Sequence, residues 1–230
     1  MLEVEHVGRR FGELVAIADA SLAVAPGSIT GLIGPNGAGK TTLFAIISGF
    51  LPPSSGRVLY GGEDLAAVPP HARAARGIAR TFQIVQPFAG LSVRENVAVG
   101  AFLRHADRRD AIAHATAVAT RVGLGRDLDR PASDLTVAGR KRLELARALA
   151  TDPQLLLLDE VLAGLNPSEI RDIVPVLRGI RESGVTILMI EHVMQAVMNL
   201  CERVYVLATG RIIASGTPAE VTADPAVIEA

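Results

Sequence analysis

The sequence predicts an α/β fold in which a mostly parallel sheet is covered by helices on both faces. Short apolar stretches without alternation occur at Ile29–Ile33, Leu155–Leu158 and Val185–Ile190, which is typical of strands buried on both sides. Segments with helical periodicity separate these stretches. Hydrophobic residues make up 49% of the chain, yet no apolar run reaches the ~20 residues of a membrane-spanning helix. The apolar excess therefore indicates buried strands.

The individual elements follow from local patterns along the chain. The predicted strands are the alternating stretch around Leu2 and Val4, Ser21–Val24, Ile29–Ile33, Arg57–Tyr60, Leu155–Asp159, Val185–Ile190, and a hairpin of Val204–Ala208 with Arg211–Ala214. The predicted helices are Lys40–Ser48, His71–Arg76, Ala111–Val122, Lys141–Ala150, Ser168–Ser183, Met194–Leu200 and one that opens at Pro218–Val221. Strand signals fade from Gln86 to about Thr151. We therefore expect a single domain over residues 1–230, with an inserted helical subdomain at about 86–151.

Composition excludes several classes of protein. The formal net charge is -1, from 23 basic and 24 acidic side chains, so no overall charge favours nucleic acid. Cys201 is the one cysteine, which rules out an internal disulfide and fits a reducing compartment. We expect it to be a buried core residue. Met1–Arg10 alternates apolar and polar residues, which predicts a first strand and not a signal peptide.

One glycine-rich segment carries the most specific signal. Residues 34–41, Gly-Pro-Asn-Gly-Ala-Gly-Lys-Thr, fit the pattern G-x-x-x-x-G-K-[ST] between a predicted strand and a predicted helix. Glycines let successive backbone N–H groups point at phosphate oxygens, and the helix start adds its positive end. The Lys40 ammonium suits the β- and γ-phosphates, and the Thr41 hydroxyl suits Mg²⁺. The predicted ATP-binding residues in this segment are Asn36, Gly37, Ala38, Gly39, Lys40, Thr41 and Thr42.

Two adjacent carboxylates, Asp159 and Glu160, follow four leucines at the end of a predicted central strand. Ligands of open α/β sheets bind at the carboxyl ends of the strands. Asp159 is suited to hold Mg²⁺, directly or through water, and Glu160 is suited to polarise an attacking water as a general base. A solvated strand end is the alternative explanation of such a pair. Because the phosphate-binding segment accompanies it, we predict ATP hydrolysis.

Further motifs resemble those of the ATPases of ABC transporters, in the same order and over nearly the whole chain. These motifs are a Q-loop at Arg80–Gln83, a signature at Leu135–Gly139 with its helix to Leu149, a D-loop at Ala163–Asn166, a switch histidine at His192 and an adenine-stacking aromatic at Phe11. Gly77–Val97 and Arg140–Pro167 are most similar to the LivG-type ATPases of branched-chain amino acid uptake systems. The resemblance implies a P-loop NTPase core with an antiparallel β subdomain and the helical subdomain.

The resemblance also implies residue roles. Gln83 would contact Mg²⁺ and the attacking water and sense a permease, and His192 would contact the γ-phosphate. Glu160, His192 and Gln83 then form the catalytic set, and Thr41, Gln83 and Asp159 form the metal set. Phe11 would stack on adenine.

The signature would be presented to the ATP of a second subunit by Thr136, Val137, Ala138 and Gly139. The usual signature is Leu-Ser-Gly-Gly-Gln. Thr136 keeps the hydroxyl, whereas Val137 and Ala138 replace both glycines. The β-branched Val137 limits how closely the backbone can approach the γ-phosphate. Asn166 replaces the usual D-loop aspartate, losing a charge but keeping its hydrogen bonding. The basic run at residues 140–142 is expected to be a solvated helix start that pairs with acidic neighbours.

The implied function is that of the ATPase subunit of an ABC importer, with ATP and Mg²⁺ as cofactors. Two subunits would close head to tail and drive uptake of a small solute, such as a branched-chain amino acid or a related compound. The expected partners are a second ATPase subunit (identical or a related paralogue), transmembrane permease subunits and, indirectly, an external solute-binding protein, but no nucleic acid. The expected location is the cytoplasmic face of the inner membrane, where the chain would be attached peripherally through the permease.

Three alternatives stay open at the level of sequence. A non-transport ABC ATPase of translation or DNA repair usually carries coiled-coil insertions or two cassettes, and neither is seen here. A small-molecule kinase with a phosphate loop would not need Gln83 or the signature. A non-hydrolysing regulator would not need Glu160 and His192.

Overall fold

The computed structural model describes residues 1–83 and 86–229, and one ten-stranded sheet lies at its centre. The strands are β1 (Leu2–Phe11), β2 (Leu14–Val24), β3 (Ile29–Ile33), β4 (Ser55–Tyr60), β5 (Glu63–Asp64), β6 (Ile78–Arg80), β7 (Leu155–Asp159), β8 (Thr186–Ile190), β9 (Arg203–Ala208) and β10 (Arg211–Gly216). The helices are α1 (Lys40–Ile47), α2 (Pro70–Ala75), α3 (Val93–Ala101), α4 (Arg108–Arg121), α5 (Val137–Leu149), α6 (Pro167–Glu182), α7 (Met194–Leu200), α8 (Pro218–Ala223) and α9 (Pro225–Glu229).

The sheet has a parallel part and an antiparallel part, in the strand order β5-β4-β1-β2-β10-β9-β3-β8-β7-β6. From β9 to β6 all neighbouring strands are parallel. By contrast, β1 pairs antiparallel with β2 and β4, and β4 pairs antiparallel with β5. The helices α3, α4 and α5 are inserted between β6 and β7. This arrangement confirms the predicted fold class.

The parallel strands are buried on both faces, which explains their continuous apolar sequence. In β7, Leu156 and Leu158 join a core cluster formed with the inserted helices and with α6 and α7. Leu155 and Leu157 face the opposite cluster, which contains α1 and the antiparallel strands. Because successive side chains of a strand point to opposite faces, both helical layers need apolar partners from the same strand.

Several elements are longer than predicted or were not predicted. Ser21–Val24 is only the end of β2, because β1 and β2 form a hairpin that pairs from Leu2–Val24 to Phe11–Leu14. The short strands β5 and β6 and the helix α3 lacked a clear sequence signal. α3 begins with a capping box of Ser92 and Glu95, a local signal that could have located it.

Two predictions about burial and membrane crossing can be compared directly with the fold. Cys201 is buried, as expected, and desolvation raises the pKa of its thiol to about 12. No helix in the described part of the chain has both the length and the apolar character needed to cross a membrane. Within the segment Gly77–Val97, Ile84 and Val85 lie outside the described residues.

Candidate functional site

The carboxyl ends of three neighbouring parallel strands meet at one edge of the sheet. The phosphate loop follows β3, the carboxylates Asp159 and Glu160 end and follow β7, and His192 follows β8. The predicted residues that line the resulting pocket are Phe11, Asn36, Gly37, Gly39, Lys40, Thr41, Thr42, Gln83, Glu160 and His192. Ala38 lies buried beneath the loop. The strand order thus brings together groups from five separate parts of the sequence.

The backbone of the phosphate loop requires glycine at its start and end. Gly34 has φ +142° and lies so close to the carbonyl oxygen of Leu207 that an added Cβ would overlap it. Gly39 precedes α1 with φ +105°. The Lys40 ammonium donates to the carbonyls of Gly34 and Pro35, both at 2.8 Å. Burial lowers the pKa of Lys40, and the charges of Glu160 and Asp159 oppose this effect. The loop therefore places one cation among backbone groups suited to phosphate.

The Glu160 carboxylate is held from both sides. Gln83 Nε2 donates to its Oε2 at 2.6 Å, and His192 Nε2 lies 2.7 Å from its Oε1. The backbone of Glu160 has φ +51°, which is uncommon for a side chain of this size, and its N–H donates to the carbonyl of Ile190 at 3.0 Å. The carboxylate is thereby oriented in the pocket that holds Lys40, which is the geometry a general base needs.

Asp159 is almost completely buried behind the pocket, at 1% exposure. Its Oδ2 accepts from Arg80 Nη2 at 2.8 Å, whereas its Oδ1 has no hydrogen-bond partner among the described residues. Burial raises the pKa of Asp159, and the bond from Arg80 opposes this shift. Asp159 shares a second pocket with Thr41 and Gln83. An unpaired carboxylate oxygen beside a hydroxyl and an amide suits a hard divalent cation.

The basic run at residues 140–142 differs from the expected solvated helix start, because its central residue is buried. Lys141 is buried, and its ammonium donates to the backbone carbonyl of Glu160 at 2.8 Å and of Gln83 at 3.4 Å. Arg140 and Arg142 also bond to backbone carbonyls and not to acidic side chains. The expectation was wrong for Lys141, because its side chain packs against the loop after β7, whereas Arg140 is exposed.

Two features of the sequence could have identified Lys141. It lies three, four and seven residues before Glu144, Leu145 and Ala148, which are all buried on α5. The sequence also contains only two lysines but 21 arginines, and the other lysine is Lys40 in the phosphate loop. A compact ammonium can satisfy several carbonyls in a tight space that a planar guanidinium does not fit.

Lys141→Met is expected to lower kcat for ATP hydrolysis by about tenfold or more while leaving nucleotide affinity near wild type. The substitution removes the donor that holds the strained Glu160 backbone but leaves the phosphate loop intact. Steady-state phosphate release and equilibrium nucleotide binding would measure the two effects. Arg142→Met, one residue along α5, is the control and is expected to keep kcat. Equal losses of kcat in both variants would show a general effect of destabilising α5.

The signature residues lie at the exposed start of α5. Thr136 caps the helix by accepting from the N–H of Gly139 at 3.1 Å, and Val137 is 58% exposed. Within the described chain, the four signature residues are not among those that line the phosphate pocket. Asn166 caps α6 by accepting from the N–H groups of Ser168 and Glu169. The amide in place of the usual aspartate therefore keeps a capping role.

Two further residues near the pocket were not singled out as site residues from sequence. Glu191 is buried and accepts from the N–H of Leu162 at 2.9 Å, which joins the loop after β7 to the loop after β8. Desolvation raises the pKa of Glu191 to about 7. Arg9 lies over the ring of Phe11, with its guanidinium carbon 4.6 Å from the ring centroid. Phe11 is 43% exposed at the mouth of the pocket.

The fold and the pocket define a P-loop nucleotide-binding protein, and comparison with known proteins defines its family. The model of the ABC transporter family matches residues 17–163, and that of branched-chain amino acid ATP-binding cassette transporters matches residues 211–230. The chain belongs to the ABC transporter family and is an ATP-binding subunit. It is therefore an ATPase whose hydrolysis is coupled to transport, which decides against the small-molecule kinase and the non-hydrolysing regulator.

Individual relatives cover almost the whole chain. The high-affinity branched-chain amino acid transport ATP-binding protein LivG of Escherichia coli K12 is 37% identical over 100% of this chain and 96% of its own length. The lipopolysaccharide export system ATP-binding protein LptB of the same strain is 35% identical over 97% of this chain and 93% of its own. A crystal structure of a nucleotide-free ATP-binding cassette from an ABC transporter superposes with a TM-score of 0.91 at 32% identity, covering 100% of this chain and 97% of that one.

Proposed function

We propose that this chain hydrolyses Mg-ATP at the interface of two ATPase subunits and thereby energises uptake of a branched-chain amino acid or a related compound. The main support for hydrolysis is the position of the Glu160 carboxylate, which lies between Gln83 and His192 in the pocket that also contains Lys40. A carboxylate oriented in this way can accept a proton from a water aligned with the γ-phosphate. His192 and Lys40 supply donors for the charge of the transferring phosphoryl group.

The residues around Asp159 fit Mg²⁺. The buried Oδ1 of Asp159, the Thr41 hydroxyl and the Gln83 amide oxygen are hard oxygen donors around one pocket. When bound, Mg²⁺ supplies charge neutralisation at the β- and γ-phosphates. Arg80 stays paired with the other oxygen of Asp159 and orients the carboxylate. Phe11, whose ring is exposed at the mouth of the pocket, offers a face for adenine.

A second subunit completes the site in this proposal. Thr136 and the exposed start of α5 present the N-terminal backbone of the helix and, among the described residues, lie outside their own chain's phosphate pocket. They suit a γ-phosphate bound by another copy or by a related ATPase subunit, because helix N-termini favour anions. Each ATP would then lie between the phosphate loop of one subunit and the signature of the other.

Specific ATPase activity of the isolated chain is expected to be low and to rise with chain concentration, because the active species is a dimer. Initial rates of phosphate release per chain, measured over about a hundredfold range of concentration, test this expectation. Activity per chain that stays constant down to the most dilute sample would contradict a shared site.

A mixing experiment gives the control for the dilution series. Lys40→Ala removes the phosphate-loop cation, and Val137→Glu places a negative charge at the exposed signature. Each variant alone would be nearly inactive, whereas a mixture forms mixed pairs with one complete site. Activity of the mixture equal to the sum of the two variants would count against the head-to-tail arrangement.

An exposed aromatic groove beside Gln83 supports coupling to permease subunits. Phe50 and Phe82 are 55% and 43% exposed, and their rings meet edge to face at 5.6 Å between centroids. The groove continues along Val99 and Gly100 of α3. Exposed apolar grooves of this kind indicate a partner surface. Because Phe82 precedes Gln83, a permease segment in the groove would act directly on the residue that holds Glu160.

The choice of solute rests on the relatives. The match of residues 211–230 to branched-chain amino acid cassettes and the similarity to LivG favour uptake of such an amino acid, whereas LptB serves lipopolysaccharide export. In this proposal the chain lies at the cytoplasmic face of the inner membrane, where permease subunits hold it. An external solute-binding protein would act on it indirectly, through the permease.

Purification of the chain with its membrane partners tests the solute. In proteoliposomes, ATP hydrolysis is expected to rise when the binding protein carries leucine, isoleucine or valine, and not when it is empty. Co-purification with lipid-export components, without stimulation by any amino acid, would favour the export function instead.

A further inference from the structure

A second cluster of ligating side chains lies away from the ATP pocket, where the inserted helices meet the sheet. His105 follows α3, His114 lies on α4, and Asp152 lies in the turn between α5 and β7. One ligating atom from each residue lies within 4.8 Å of the other two. In the described chain, none of the three is among the residues that line the ATP pocket. The cluster is therefore separate from the ATPase site.

The distances within the cluster are those of ligands around one ion. His114 Nε2 lies 3.2 Å from Asp152 Oδ1, and His105 Nε2 lies 3.7 Å from Asp152 Oδ2. Two ligands about 2.0–2.1 Å from a tetrahedral zinc ion are about 3.3 Å apart. The two imidazole rings lie side by side, with centroids 4.6 Å apart and an interplanar angle of 35°. Both Nε2 atoms thus point at the same carboxylate.

Both histidine Nε2 atoms are buried and lack a hydrogen-bond partner among the described residues. The contact of His105 with Asp152, at 3.7 Å, is too long for a hydrogen bond, and that of His114, at 3.2 Å, is not aligned for one. Buried polar atoms that lack a partner are uncommon, and a bound ion is one of the arrangements that satisfies them. Asp152 is half exposed, which leaves room for a water molecule as a further ligand.

The surrounding chain holds these three residues in place. Arg104, next to His105, donates to the carbonyls of Thr151 at 3.2 Å and Ala75 at 2.9 Å, which ties its loop to the turn of Asp152. His114 lies on α4 between Ala111 and Ala115, which are buried against the core. The ligands are therefore supplied by a helix and two anchored loops, as a preorganised site requires.

We propose that His105, His114 and Asp152 bind one divalent transition-metal ion with the ligand preference of zinc, completed by water. Two imidazoles and one carboxylate favour Zn²⁺, Co²⁺ or Ni²⁺ over Mg²⁺ and Ca²⁺, which prefer oxygen ligands. The bound ion joins the loop after α3 and the helix α4 to the turn before β7. It therefore fastens the inserted helices to the strand that carries Asp159.

Cobalt is the probe, since its visible absorption reports coordination by imidazole. The untagged full-length chain is stripped with a chelator and titrated with Co²⁺ without nucleotide and with excess Mg²⁺, which saturates sites made of oxygen. We expect one Co²⁺ per chain, displacement of it by Zn²⁺, and a rise in the melting temperature with Zn²⁺. His114→Gln and Asp152→Asn are each expected to weaken binding by more than about tenfold.

The matched control is His6→Gln. His6 also lies 3.2 Å from an aspartate, Asp19, but that pair is exposed and has one imidazole, so its loss is expected to leave Co²⁺ binding unchanged. Mg-ATP hydrolysis by His105→Gln and His114→Gln verifies that the variants fold. Absence of stoichiometric Co²⁺ binding to the wild type, or binding that survives all three cluster substitutions, would show that the three side chains form only an ion-pair cluster.

Discussion

Glu160→Gln is expected to lower ATP turnover by about 100- to 10,000-fold while nucleotide binding stays close to wild type. Glutamine keeps the size of the side chain and an acceptor for Gln83 Nε2, but it cannot take a proton from water. The phosphate loop, which is the proposed nucleotide site, is unchanged. Single-turnover phosphate release and equilibrium binding of ATP would separate the two quantities.

The same variant is expected to accumulate as an ATP-bound dimer, because in the proposed cycle the subunits separate after hydrolysis. Size-exclusion chromatography with ATP, compared with ADP, measures this shift in mass. Glu202→Gln is the control, since Glu202 forms an exposed surface pair with Arg181 far from the phosphate loop. If Glu160→Gln hydrolyses ATP at the wild-type rate, Glu160 is not the general base.

Lys40→Ala is expected to weaken ATP binding by about a hundredfold or more, because hydrogen bonds to charged groups contribute about 1.5–3 kcal/mol each. The ammonium lies among the loop carbonyls of Gly34 and Pro35, in the pocket of Glu160. Isothermal titration with ATP would measure the loss. Unchanged affinity would remove the assignment of residues 34–41 as the phosphate site.

Two measurements distinguish this loss from misfolding. Thermal melting without nucleotide measures whether the variant stays folded, and a melting temperature near wild type would assign the loss of affinity to the missing ammonium. Lys141→Met supplies the opposite pattern, with lowered kcat and retained affinity. A loss of affinity in both variants would indicate a general disturbance of the site.

Much of the fold could be predicted because its signals are local. The four leucines of β7 predict a strand buried on both faces, and the hairpin of β9 and β10 follows from strand patterns on each side of Thr209-Gly210. The strand β2 was predicted too short, as Ser21–Val24, and its hairpin with β1 was not predicted. Its register is set by pairing between Leu2 and Val24, which no window of adjacent residues contains.

The candidate site divides in the same way. The sequence by itself predicted the phosphate loop, since Gly34, Gly39 and Lys40 belong to one short segment whose backbone the glycines shape. It also predicted that a central strand ends at Asp159 and that Glu160 follows it, because an apolar run followed by carboxylates is a local pattern.

Only the tertiary structure decided how these groups meet. Gln83, Glu160 and His192 come together because β7 lies beside β8 and the loop after β6 crosses the end of β7. The buried role of Lys141 depends on how α5 packs against that loop, and a basic run by itself resembles a solvated surface. Contacts between residues far apart in sequence are set by the packing of whole elements, which no local pattern of residues contains.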